Sequence, residues 1–352
     1  MAAQPVSSPG RAALPRVKLV KRAGRDRSQT LRRAFQFAFL ALNVWIGVEF
    51  YFFVRYYETA GRTTFFERSP GVEGWLPIAA LMNLKALLLT GQLPAVHPAG
   101  LFLLLAFLGM SLVFRKAFCG WICPVGTVSE LLYKVGRRVF GRNFHLPRRA
   151  DVPLRSLKYI LLALFLYAVV SMPAASISAF LEGPYGLIAD VKMLNFFRYL
   201  GMAGAAVVGS LVVLSLVVPN FWCRYLCPYG ALMGLAALAS PARIQRVKES
   251  CIDCAKCAKA CPARLPVDSL VTIRSAECTA CLECVAACPA EGALQLGFPG
   301  RRKLPAWTLA LGLACIFLGI GGYARVTGHW RTNLPERVYF ELIPHAQEFS
   351  HP

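Results

Sequence analysis

Charge is scarce in this chain, and negative charge scarcer still. Only 16% of the 352 residues are charged, and 18 acids stand against 39 bases. A soluble globular domain carries about a quarter charged residues, so an ordinary water-soluble enzyme is excluded. The 56% hydrophobic content excludes a disordered chain as well. Histidine is almost missing: there are five, and none falls within a long apolar stretch. That excludes bis-histidine haem inside a helical bundle, and the absence of C-x-x-C-H excludes covalently attached haem. No G-x-G-x-x-G follows a strand pattern, so a dinucleotide fingerprint is absent too. The first apolar run has no small-residue cleavage site close behind it, so the basic segment before it reads as a cytoplasmic arm rather than a secretory signal.

Long apolar runs, by contrast, are abundant, and the mean hydropathy is +0.50. A bilayer core of roughly 30 Å needs about 20 helical residues. Five stretches reach or approach that length: Phe35–Val54, Pro98–Phe114, Leu157–Ala175, Met202–Val218 and Leu304–Tyr323. A sixth, Trp75–Leu93, carries Lys85 near its middle and Pro77 near its start. A central lysine is costly in lipid, so this stretch is expected to be interfacial or re-entrant. Thirty of the 39 Lys and Arg residues lie in residues 1–34, 115–158 and 219–303, and nine lie in the alternate segments. The positive-inside rule makes the first set cytoplasmic. Nine acids fall on that side and eight on the other, so the cytoplasmic face holds the whole net charge of +21. The basic composition is thereby explained by the membrane, and nucleic-acid binding loses its motive.

Thirteen cysteines are far too many for chance, and twelve of them form four clusters. Cys251-Ile-Asp-Cys254-Ala-Lys-Cys257-Ala-Lys-Ala-Cys261-Pro262 and Cys278-Thr-Ala-Cys281-Leu-Glu-Cys284-Val-Ala-Ala-Cys288-Pro289 share the pattern C-x2-C-x2-C-x3-C-P. In two-cluster ferredoxins the first three cysteines of such a run ligate one 4Fe–4S cubane and the fourth ligates the other. On that rule cluster one takes Cys251, Cys254, Cys257 and Cys288, and cluster two takes Cys278, Cys281, Cys284 and Cys261. Structural zinc has no use for the third cysteine and the trailing C-P, and disulfides are disfavoured in the reducing compartment.

Two further pairs, Cys119-Gly-Trp-Ile-Cys123-Pro124 and Cys223-Arg-Tyr-Leu-Cys227-Pro228, each follow an apolar run and precede an amphipathic pattern. This repeat suggests an internal duplication. Facing each other, the pairs would offer four thiolates to a third metal site; they can also form a redox dithiol or simply shape two turns. Cys315 stands alone in the fifth run and is expected to be a packing residue. Glu49 is the sole acid within a span: it is a candidate proton acceptor for a quinol, with Lys85 and His97 expected nearby, or equally a carboxylate close enough to the outer interface to be hydrated.

Two C-x3-C-P pairs behind membrane spans, followed by two ferredoxin motifs, resemble the NapH/NosR-type membrane polyferredoxins over roughly residues 35–296. The resemblance implies electron transfer between the quinone pool or a flavoprotein and a redox partner, through two 4Fe–4S clusters. It implies an electron carrier, with a quinol dehydrogenase component as its enzymatic form. The fifth span is also similar to the CcoG-type oxidase maturation proteins, which implies cupric reduction as the alternative. We expect an α-helical integral membrane protein with an inserted small α+β dicluster ferredoxin-like domain, located in a bacterial inner membrane. Its parts are a basic cytoplasmic arm (1–34), a four-helix membrane module (35–240), the ferredoxin-like domain (245–300, cytoplasmic), a fifth helix (304–323) and a periplasmic tail (324–352).

Overall fold

The computed structural model describes residues 21, 24, 26–142, 144, 146–298 and 303–350. Most of the basic arm, together with His145 and His351, lies outside the described residues. The helices are α1 (Ser28–Glu58), α2 (Pro77–Thr90), α3 (Pro98–Phe114), α4 (Ala117–Trp121), α5 (Pro124–Phe140), α6 (Arg148–Ser171), α7 (Ala174–Glu182), α8 (Pro184–Leu187) and α9 (Ala189–Arg198). They continue with α10 (Met202–Val217), α11 (Pro228–Ala236), α12 (Lys256–Ala260), α13 (Glu283–Ala286), α14 (Ala306–Val326) and α15 (Glu336–Leu342). Strands β1 (Arg243–Arg246) and β2 (Leu294–Gly297) pair antiparallel, Arg243 opposite Gly297.

Among the described residues three helices are long and apolar enough to cross a membrane: Ser28–Glu58, Arg149–Ser171 and Ala306–Val326. A fourth crossing arises if α9 and α10, bent by 83° at their junction, count as one span. Helix α3 has 17 residues, about 25 Å at 1.5 Å per residue, which is short of the hydrocarbon core. Eleven of its residues are buried, because α2, α11 and α14 pack around it. An apolar core helix and a short span look alike in sequence, so the run of hydrophobic residues at Pro98–Phe114 does not distinguish them. Helix α2 has only 14 residues. Its Lys85 ammonium donates to the carbonyls of Val169, Val170 and Met172, at the C-terminal end of α6. The charge that looked costly in lipid thus satisfies orphan carbonyls and complements a helix dipole. It does not line the cavity that contains Glu49.

The duplication is woven crosswise. The helix that follows each cysteine pair packs on the span of the other copy: α5 lies against α10, and α11 against α3. At the first crossing a Cβ on Gly136 would sit 1.8 Å from the Leu216 carbonyl oxygen, so only glycine allows the approach. Weaving of this kind brings the two cysteine loops to one place.

One hydrophobic core runs from this module into the iron–sulfur segment. It includes Leu104, Met110, Trp121, Met233, Ile244, Ala280, Leu282, Cys284, Leu296 and Leu313. A second core, with Phe50, Phe53, Tyr57, Ile188, Leu342 and Ile343, fastens α15 to the far end of α1. Beside it lies a buried polar cluster. Arg68 pairs with Glu73 and Asp190 at 2.8 Å each, and His97 bonds to the Gly186 carbonyl at 2.8 Å. Burial pushes the Glu73 carboxyl up, but the Arg68 guanidinium outweighs it and holds the group down at about 2. His97 is thus committed to tying loops together and is not a partner of Glu49.

Candidate functional site

Both ferredoxin motifs wrap the chain in the same way. Non-glycine residues adopt the left-handed conformation at Asp253 and Ala255 in the first motif, and at Ala280 and Leu282 in the second. These flank the middle cysteine of each run, Cys254 and Cys281. Such residues cost of order 1 kcal/mol each, and here they curl three cysteines around a common centre. Cys288 has Cys254 and Cys251 as charged neighbours. Cys284 has Cys281, Cys278 and Cys261 about it, with Cys257 more distant in effect. The fourth cysteine of each motif therefore stands with the first cysteines of the other. The Leu265 N–H donates to the Cys261 sulfur at 3.5 Å, a contact that suits a thiolate.

The four remaining motif cysteines also share surroundings. Cys119, Cys123, Cys223 and Cys227 line one cavity of about 650 Å³, together with Cys281 of the second ferredoxin motif. Burial pushes the Cys119 thiol up to about 11 against the opposing pull of Lys116, and pushes Cys223 up to about 12 with Cys227 and Cys119 adding to the effect. Metal ligation at these cysteines would release their thiol protons.

The lining fits an anionic guest. The Gly230 N–H donates to the Cys227 sulfur at 3.2 Å. A Cβ on Gly230 would meet that sulfur at 3.5 Å and Lys116 Nζ at 3.6 Å. Lys116 is itself 4% exposed, and its ammonium faces Cys119 and Cys227 with Glu277 as its acidic neighbour. Ser129 Oγ is buried without a hydrogen-bond partner and adjoins Cys223, so a thiolate there would satisfy it. Among the described residues no three His, Cys, Asp or Glu side chains converge closely enough to share a single ion.

Besides the cysteine loops, the cavity is lined by Phe107 and Tyr229 and, on α1, by Phe39, Asn43, Trp45 and Glu49. It is apolar for most of its length, and Glu49 is half-buried in its wall. Leu42 and Trp45 beside it are 43% and 63% exposed on the outer helix surface.

Several residues here were invisible to sequence reasoning. Arg32 looked like one more solvated flanking charge, yet it is 1% exposed. Its guanidinium binds Glu130 at 2.8 and 2.9 Å, Glu283 at 2.8 Å and the Gly120 carbonyl at 3.3 Å. Burial pushes Glu130 up, but Arg32 outweighs it and holds the carboxyl at about 2. Gln29 donates to the Cys281 carbonyl at 2.9 Å, and Trp121 Nε1 to the Ala280 carbonyl at 3.0 Å. Lys158 binds Glu277, the residue before Cys278, at 2.6 Å. The one sequence signal for Arg32 is its place one turn before Gln36, on the same face of α1. Cys315, expected to pack, is exposed on α14, because its neighbour Leu313 takes the inward position.

Comparison with known proteins agrees with this architecture. A family model described as a 4Fe-4S binding domain matches residues 96–143 and again residues 200–246, the two copies of the woven repeat. A 4Fe-4S dicluster domain matches residues 243–289. The chain is 50% identical over 328 residues to the putative electron transport protein YccM of Escherichia coli K12, covering 92% of each chain. It is 36% identical over 142 residues to the regulatory protein NosR of Pseudomonas aeruginosa, which is 40% of this chain and 19% of that one. The ferredoxin-type protein NapH of Escherichia coli K12 is 30% identical over 156 residues, 44% of this chain and 49% of that one. No solved structure matches the chain significantly. With the crossed cysteine motifs, the woven C-x3-C-P repeat and a full-length relative in agreement, this chain belongs to the NapH/NosR-type family of membrane 4Fe–4S proteins and is an iron–sulfur electron-transfer protein.

Proposed function

We propose that the chain relays electrons between a membrane quinone and a soluble redox partner through three centres in series. The observation that supports this reading is the shared cavity: the four C-x3-C-P cysteines, Cys281 and Glu49 all line one mostly apolar space. A quinol ring suits an apolar slot with a carboxylate in its wall, and each oxidation releases two protons and two electrons. Glu49 would accept the protons in turn, passing the first to water before taking the second, and the electrons would leave one at a time through the cysteine site. Clusters, when bound, supply one-electron chemistry that no protein side chain offers. The chain's own part is to hold the thiolates, place Lys116 and Ser129 against them, and keep water out of the cavity.

On this reading Cys278, Cys281, Cys284 and Cys261 hold cluster two, next to the membrane part. Cys251, Cys254, Cys257 and Cys288 hold cluster one beyond it. Cys119, Cys123, Cys223 and Cys227 hold the third centre. The same reading has the chain cross the inner membrane five times, counting the bent α9–α10 pair once and α3 as a short crossing enclosed by its neighbours. The lysine and arginine distribution supports clusters that face the cytoplasm.

Iron content tests the third centre. Two cubanes account for about eight irons and three for about twelve, so anaerobically purified protein should contain about twelve. Eight irons with four unreactive C-x3-C-P thiols would reduce those pairs to turns. Reduction by a water-soluble quinol analogue should slow severalfold in Glu49→Gln while iron content stays constant; an unchanged rate removes Glu49 from the mechanism. A reporter fused after Pro352 should be active only outside the cytoplasm, and cytoplasmic activity would overturn the topology.

A further inference from the structure

The relay needs an outer port, and the two ferredoxin motifs differ sharply in where they could provide one. Cys278, Ala280, Leu282 and Cys284 are all buried, each at most 8% exposed. In the first motif Ile252, Asp253, Cys254, Lys256 and Lys259 are all exposed. Cys281 lines the membrane cavity, whereas none of Cys251, Cys254, Cys257 and Cys288 does. The first motif is therefore the end of the path that faces water.

The surface around that end is basic with an apolar centre. Ile252 is 46% exposed, and Val271 is 49% exposed. Val271 lies beside the motif, since its carbonyl accepts the Arg246 N–H at 2.7 Å and the Arg246 guanidinium reaches the Cys251 sulfur at 3.6 Å. The one acid within the motif, Asp253, is neutralised by Arg246 at 3.0 Å. Lys256 and Lys259 on α12 are the exposed cations of the motif, with the exposed Glu249 just before it and Asp268 near Cys257 as the neighbouring acids. A cationic rim around a small apolar centre steers negatively charged proteins and lets a redox centre approach closely, while the rim mostly sets the association rate.

We propose that the Cys251–Cys257 loop, with Ile252, Lys256 and Lys259, is the docking site for a small acidic one-electron carrier protein. The proposal rests on cluster one being bound by this loop. One electron passes per encounter: the reduced carrier is oxidised as cluster one is reduced, or the reverse, and no proton or bond is exchanged.

A reduced plant-type ferredoxin, which is acidic and has a potential near −400 mV, serves as the probe. Mixed anaerobically with the intact protein in detergent, it should bleach the cluster absorbance at a rate that falls steeply as salt rises. Lys256→Glu combined with Lys259→Glu should slow that reaction about tenfold or more, with iron content and thermal stability unchanged. A basic cytochrome used as oxidant of the reduced protein should lose no rate in the same variant. Rates indifferent to both salt and charge reversal would overturn the docking site. If the electron enters cluster one but a quinone analogue is never reduced, the relay reading fails and the docking site stands. Ile252→Ser, which leaves charge intact, should weaken the encounter without altering its salt dependence; a changed salt slope would contradict the division of labour between rim and centre.

Discussion

The two ferredoxin motifs are nearly the same object in sequence and opposite objects in space. Each repeats one cysteine spacing and places left-handed residues at equivalent positions. Yet Cys254 is exposed while Cys278 and Cys284 are buried. The second motif is gripped by Gln29 and Trp121 through its backbone carbonyls and by Arg32 through Glu283. The first has Arg246, from its own segment, as its cationic contact. Spacing decides what a motif can hold. Surroundings decide which way electrons can leave it.

The comparison can be broken most forcefully from the buried side. Cys284→Ser removes a ligand from the core itself, and metal ligation is folding energy for so small a segment. We expect it to lose one cubane and to lower thermal stability much more than Cys254→Ser, which should also lose one cubane but from the exposed end. Anaerobic EPR and thermal unfolding of both variants make the check; equal losses of stability would mean that burial does not distinguish the motifs.

Next in size is the clamp. Arg32→Gln leaves Glu130 and Glu283 close together without their shared cation, at a cost of about 3–5 kcal/mol. The expected result is a large drop in unfolding temperature, with Arg32→Lys recovering only part of it because a lysine cannot bind two carboxylates as a fork. A Gln variant as stable as the parent would demote Arg32 to the solvated charge that it resembles in sequence.

Lys116 sharpens the comparison by charge alone. Removing a buried cation disfavours the more negative, reduced form of the neighbouring centre. Lys116→Met should therefore lower the midpoint potential of the C-x3-C-P centre by roughly 60 mV or more, the equivalent of about 1.4 kcal/mol. Lys116→Arg should restore most of it, and clusters one and two should move little in a redox titration followed by EPR. Last comes Cys315→Ser on the outer surface of α14. It should change neither iron content nor stability, and a loss of either would expose an error in the ligand assignment.

How much of this was legible beforehand depends on range. Iron–sulfur chemistry could be read from cysteine spacing because a cubane loop is local, and spacing along the chain nearly determines it. The membrane character followed from apolar length, but length alone does not decide the number of crossings. Helix α3 is short and enclosed by other helices, and α9 and α10 are joined by a bend of 83°, so each can be counted in more than one way. Whether the C-x3-C-P pairs meet depended on α5 packing on α10 and α11 on α3, a tertiary arrangement outside the reach of any local motif. Arg32 and Lys85 were legible only as charges. An arginine in a basic arm or a lysine within an apolar run has the same sequence signature whether it faces water, two buried carboxylates or the end of a helix.

The central claim is an order: cavity, C-x3-C-P centre, buried cluster two, exposed cluster one. Its most direct test is reduction of the Cys254→Ser variant by a quinol analogue, followed by freeze-quench EPR and by onward transfer to a soluble acidic acceptor. The account predicts that cluster two is reduced at an undiminished rate while transfer to the soluble acceptor is lost. Failure of the quinol analogue to reduce cluster two in that variant would contradict it, because electrons would then be entering through the exposed end.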